Sequence, residues 1–218
     1  MSFMAIGVSD SAEELLGRHP SIQRCVARIR LPLLPTGAVE HIVAQGAAFA
    51  GLYFPNAARS SIAELARGVP YVAQLLSLRA GQSALQGQRL DVRGGDLITA
   101  IIAAVAEADP RVTSLYRTLT ASESDTAVMR LLRSAAVGHQ DEFGRFTVRY
   151  EGPLLRVAGA AADPGAWQRV IDTGAIRPGH GDDAGRFTFS EPMLPHLVMQ
   201  RAVLLQAVQE MPRRTFSP

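Results

Sequence analysis

The sequence predicts a mainly α protein: a helical bundle, then a second domain that carries a small β-hairpin. Three observations predict it. Four segments between Thr36 and Ala106 repeat apolar residues with a helical period. Gly68-Val69-Pro70 reads as a helix stop followed by a new start, and Ala108-Asp109-Pro110 as a domain boundary. Two short alternating runs flank a Gly- and Asp-rich tip between Ala175 and Phe189. The chain has 218 residues, 47% of them apolar and 19% charged, enough for one large core or two small ones.

Taken in order, Phe3 to Val8 is a short apolar run that reads as a buried strand. Ser11 or Asp10 caps a short helix with Glu13 and Glu14 in its first turn. His19-Pro20 breaks it, and Ser21 caps a second short helix through Arg24 and Val26. Arg28 to Leu33 alternates like a strand until Pro32 and Pro35 stop it. Helices are then expected from Thr36 to about Leu52, Asn56 to Arg67, Pro70 to about Gly87, and over Leu97 to Val105 after a basic loop, Arg89 to Gly95.

Beyond Pro110, Val112, Leu115 and Leu119 mark one helix, and Ser122 to Ala136 another. Asp141 to Arg145 is a polar turn and Phe146 to Val148 a short strand. Helices are expected near Gly152 to Ala158 and Pro164 to Thr173. A hairpin follows, with strands at 175–177 and 186–189, and a helix from Pro195 to Val208 closes the chain. Helix, helix, helix, hairpin is the order of a winged-helix domain.

Composition excludes several functions. All 22 basic residues are arginine, so no complete Walker A loop and no Schiff-base lysine exist in this chain. Cys25 is the single cysteine, which excludes an internal disulfide and a Cys-based zinc cluster. The five histidines lie far apart, without metal-ligand spacing, and no GxSxG elbow occurs. His180-Gly181-Asp182-Asp183 is the densest polar cluster but lacks the oxygens of a calcium loop. The start lacks a basic n-region and a long apolar core, and the longest apolar stretch, Leu97 to Ala106, is about half a membrane span. A soluble, cytoplasmic protein without a membrane partner is the expectation.

The arginines carry what chemistry the sequence offers. Arg24, Arg28 and Arg30 fall within seven residues, and a guanidinium there suits a phosphate at a subunit interface. Arg177 and Arg186 flank the hairpin tip, where a wing reaches a DNA backbone. The net charge of +2 and the acidic pairs Asp141-Glu142 and Asp182-Asp183 temper that affinity. Phe187 and Phe189 are expected to pack on the core rather than to stack on bases.

Together these segments resemble the C-terminal half of an AAA+ ATPase of the origin-recognition and replication-initiator type. Ile6-Gly7-Val8-Ser9-Asp10-Ser11 resembles the fourth core strand with its sensor 1 segment. His19-Pro20-Ser21-Ile22-Gln23-Arg24 resembles the arginine-finger stretch, and Arg28 to Leu34 the strand entering the lid. Gly68-Val69-Pro70-Tyr71-Val72-Ala73-Gln74-Leu75-Leu76 resembles the start of the sensor 2 helix. Arg186-Phe187-Thr188-Phe189-Ser190-Glu191-Pro192 resembles the end of the family's winged helix.

The resemblance implies a core remnant over 1–34, a helical lid over 35–108, a winged-helix domain over 109–211 and a tail over 212–218. It implies that Asp10, Arg24 and Tyr71 serve a nucleotide site, Tyr71 standing where the family usually has an arginine. ATP and magnesium are expected only with a P-loop half, which is not in this sequence. The chain alone is then no ATPase. Its expected role is nucleotide-dependent assembly together with DNA or protein binding. Self-association, an AAA+ partner half and duplex DNA are the implied partners. The alternatives are a stand-alone winged-helix DNA-binding module and a protein-interaction scaffold.

Overall fold

A computed structural model describes residues 31–120, 126–179 and 185–210. Four helices form first: α1 (Thr36–Phe49), α2 (Asn56–Ala66), α3 (Pro70–Gln86) and α4 (Gly94–Ala106). Their starts follow local chemistry. Pro70 sits in the first turn of α3, where a missing N–H costs nothing. At α4 the backbone N–H of Arg93 donates to the Asp96 carboxylate at 2.8 Å. Asp96 also receives both arms of Arg89, at 2.8 and 2.9 Å, and the Ser83 hydroxyl at 2.7 Å. One of the basic loop's two arginines, Arg89, therefore helps to join α3 to α4, while Arg93 stays largely exposed and pairs with Asp91. Val39, Val43, Ile62, Val72, Leu76 and Ile101 centre the first core.

The second part begins with α5 (Pro110–Leu119) and α6 (Thr126–Val137). Asp109 caps α5 by accepting from the Arg111 N–H at 2.7 Å. Strands β1 (Phe146–Glu151), β2 (Leu154–Val157) and β3 (Ala160–Ala162) form a meander. Then come α7 (Pro164–Asp172), the hairpin β4 (Ile176–Pro178) and β5 (Arg186–Phe189), and α8 (Leu194–Glu210). The hairpin forms in the expected place, and β5 also pairs with β1. The antiparallel sheet has the order β3-β2-β1-β5-β4. Leu131, Leu132, Phe146, Leu155, Ile176 and Leu194 lie in the second core.

The expected helix at 152–158 is instead strand β2. Two tight turns decide this. Gly152, with φ of +62°, opens a two-residue connection from β1, as a type II′ hairpin requires. Ala158 and Gly159, with φ of +51° and +88°, close the next one in the manner of a type I′ turn. A helix tolerates neither. The meander therefore stands between α6 and α7, inside the run of helices that precedes the hairpin. Leu31 to Leu33 belong to no strand. Leu33 donates its N–H to the Glu142 carbonyl, and Leu34 to that of Gly68. A Cβ on Gly68, whose φ is +81°, would stand 2.6 Å from the Leu34 carbonyl oxygen. The expected elements at 3–30, the hairpin tip at 180–184 and the tail at 212–218 lie outside the described residues.

By its internal contacts the chain from Leu33 onward is one unit. Leu65, Val105 and Met193 pack against both cores. At this seam Arg67, with φ of +42°, donates to the carbonyls of Val137 and Gly138 and to Gln140 Oε1, at 3.2–3.3 Å. His196, 4% exposed, places Nδ1 3.0 Å from the Leu65 carbonyl oxygen. Burial pushes its pKa down from the ordinary 6.5, and the nearby Arg67 charge adds to that; the Leu65 carbonyl acts the other way. A lowered histidine pKa means that the folded chain resists a proton the unfolded chain accepts. This stability is complete above the ordinary range and is lost as pH falls below it. Urea unfolding should show wild type weakening between about pH 7 and 5.5. His196→Gln should remove that part of the decline.

Candidate nucleic-acid interface

Strand alternation sorts the sheet into two faces. Phe146, Leu155, Val157, Ile176 and Phe189 point inward and are buried. Phe187 shares that face, its ring 5.1 Å from Trp167 and 6.5 Å from Phe146. Phe187 and Phe189 are thus committed to the core, as expected.

The opposite parity holds arginines. Arg156 stands on β2, Arg149 on β1, Arg186 on β5 and Arg177 on β4, one on each of four adjacent strands. Arg149 lies opposite Arg156. Arg186 lies opposite Thr147, two residues back along β1. Arg177 lies opposite Thr188, a further two residues in the same direction. With strands about 4.8 Å apart and about 3.3 Å per residue, the four form a diagonal file roughly 20 Å long.

Two acids orient this file. Asp141 Oδ1 accepts from the N–H groups of Phe143 and Arg145, at 2.9 and 3.0 Å. Its Oδ2 accepts from Arg145 Nε at 2.8 Å and from Arg186 Nη1 at 2.7 Å. Burial alone would raise the Asp141 pKa; the backbone donors and Arg145 outweigh it and hold the carboxyl below its ordinary range. Glu151 pairs with Arg156 Nε at 2.6 Å. Within the file, Arg186 thus meets Asp141 and Arg156 meets Glu151, while Arg149 has no ion-pair partner among the described residues.

Of the sequence candidates, Arg177 and Arg186 belong to this file, Arg186 held by Asp141 while its side chain stays 45% exposed. Tyr71 stands apart from the sheet, as the second residue of α3 in the bundle around the first core, and is 60% exposed. Asp10, Arg24, Arg28 and Arg30 lie outside the described residues. Arg149 escapes the sequence reading because the expected strand stops at Val148, one residue before it, and Arg156 because 152–158 reads as a helix. The signal was present: Gly152-Pro153 and Ala158-Gly159 bracket a four-residue run.

Among the described residues no group of three His, Cys, Asp or Glu is placed to hold a metal ion. No described helix is long and apolar enough to cross a membrane. No family model, curated protein or solved structure matches the chain.

Asp141→Ala removes an acceptor from two backbone donors and two guanidiniums. It should cost about 2 kcal/mol in urea unfolding.

Proposed function

We propose that this chain is the lid and winged-helix-like portion of an AAA+ ATP-binding protein of the origin-recognition type. In this reading it contributes to nucleotide-dependent assembly and binds duplex DNA. The observation that carries the DNA part is the file of arginines on one sheet face. The resemblance in residue order supports the rest, and the helical bundle over 36–106 suits a lid. Tyr71 suits a nucleotide-facing role because its ring is exposed at the start of α3. A tyrosine packs on a base or donates one hydrogen bond, but it neutralises no phosphate charge.

The P-loop half would supply ATP and magnesium, with Asp10 and Arg24 as this chain's other contributions to that site. With no lysine to cradle phosphates, the chain by itself hydrolyses no ATP. The second reading is a DNA-binding module without nucleotide chemistry, which the same arginine face favours.

Two measurements separate the parts. Fluorescence anisotropy with a short duplex should show binding that weakens about 100-fold between 50 and 200 mM salt, as about four phosphate contacts require. No binding at low salt removes the DNA part. Mixed with a P-loop-bearing AAA+ core, the chain should raise ATP affinity. Tyr71→Ala should reduce that gain several-fold and leave DNA binding unchanged. An ATP affinity indifferent to the chain removes the nucleotide part.

A further inference from the structure

We propose that duplex DNA docks across the outer face of the five-stranded sheet, its phosphates following the diagonal file Arg156, Arg149, Arg186, Arg177. The inference rests on the DNA-binding part of the reading above. It moves the contact from the hairpin tip to the sheet.

Four features carry it. First, the file crosses two hairpins far apart in sequence, β1-β2 and β4-β5, so one sheet face gathers charge from both. Second, Arg149 and Arg156 face each other in register. Like charges directly opposite weaken a strand pair. Glu151 relieves Arg156, whereas Arg149 is exposed and has no ion-pair partner among the described residues. A polyanion satisfies both guanidiniums at once. Third, Asp141 uses one nitrogen of Arg186 and leaves its remaining donors for another acceptor. The acids hold the file in position without cancelling it. Fourth, the aromatic residues of these strands, Phe146, Tyr150, Phe187 and Phe189, fall on the opposite parity. The strands thus place no aromatic ring on the arginine face as a stacking platform for unpaired bases. Its charges suit a duplex backbone instead, and a file of roughly 20 Å spans about six base pairs.

The test compares wild type with Arg149→Ala/Arg156→Ala in anisotropy titrations of a fluorescein-labelled duplex across a salt series. Arg111→Ala/Arg117→Ala, two exposed arginines of α5, removes equal charge elsewhere. Thermal melting checks that each variant folds, and the single Arg149→Gln replaces the double variant if that one does not. The sheet variant should bind roughly 50-fold more weakly at 0.1 M salt, with a log–log salt slope shallower by about 1.8. Arg149→Gln should show about half of each change on the logarithmic scale, and the α5 variant should match wild type. Equal binding by the sheet variant and wild type overturns the proposal and leaves DNA binding to another surface. Absence of wild-type binding at low salt overturns the DNA reading and the proposal with it. Arginine-dependent retention on phosphatidylserine vesicles, with no affinity for duplex, also overturns it and makes the face a membrane contact.

Discussion

The two cores of this chain are joined at the end of α2. There Arg67 enters the left-handed region, which costs a non-glycine residue about 1 kcal/mol. Its guanidinium reaches the Val137 and Gly138 carbonyls at the end of α6, groups without the usual partners inside their own helix. Burial lowers the Arg67 pKa, the cost of placing that charge at a seam. Two residues earlier, the Leu65 carbonyl meets His196 of α8. One turn of backbone thus binds α2 to both α6 and α8. The bundle and the sheet are held to each other by polar contacts that work in only one alignment, while Leu65, Val105 and Met193 supply apolar packing that is less particular.

The sheet face applies the opposite economy of charge. At the start of α4, Asp96 absorbs Arg89 completely, and its carboxyl sits well below the ordinary range because Arg89 bonds to both oxygens. On the sheet, Asp141 is shared between two arginines, and Glu151 serves one of the two arginines that oppose each other. The first arrangement builds structure. The second leaves charge facing outward from a rigid support, the arrangement a positioning contact to phosphate calls for.

The helices were legible because their signals are local. Prolines in first turns, aspartates at caps and a steady apolar period place α3, α5 and α7 within a residue or two. Strand β2 was misread because four residues with three apolar side chains fit either period, and the glycines on either side decide the matter. The diagonal of arginines was invisible for a different reason. Arg177 and Arg186 stood out beside a recognisable hairpin, but register is a tertiary property, and nothing near Arg149 in sequence says that β5 will lie beside it. The seam was less legible still, since Leu65 and His196 lie 131 residues apart. Tyr71 is marked in the sequence only by resemblance, since nothing around it in α3 signals that its ring is exposed.

The edges of the sheet have a consequence of their own. Each outer strand, β3 and β4, is three residues long, and β4 ends in Pro178, which has no N–H to give. A second chain adding itself as a sixth strand would find almost no ladder to extend. Crowding these molecules together therefore should not knit their sheets into a common ribbon. As far as the described residues go, whatever draws two copies side by side has to work through side chains rather than through strand pairing.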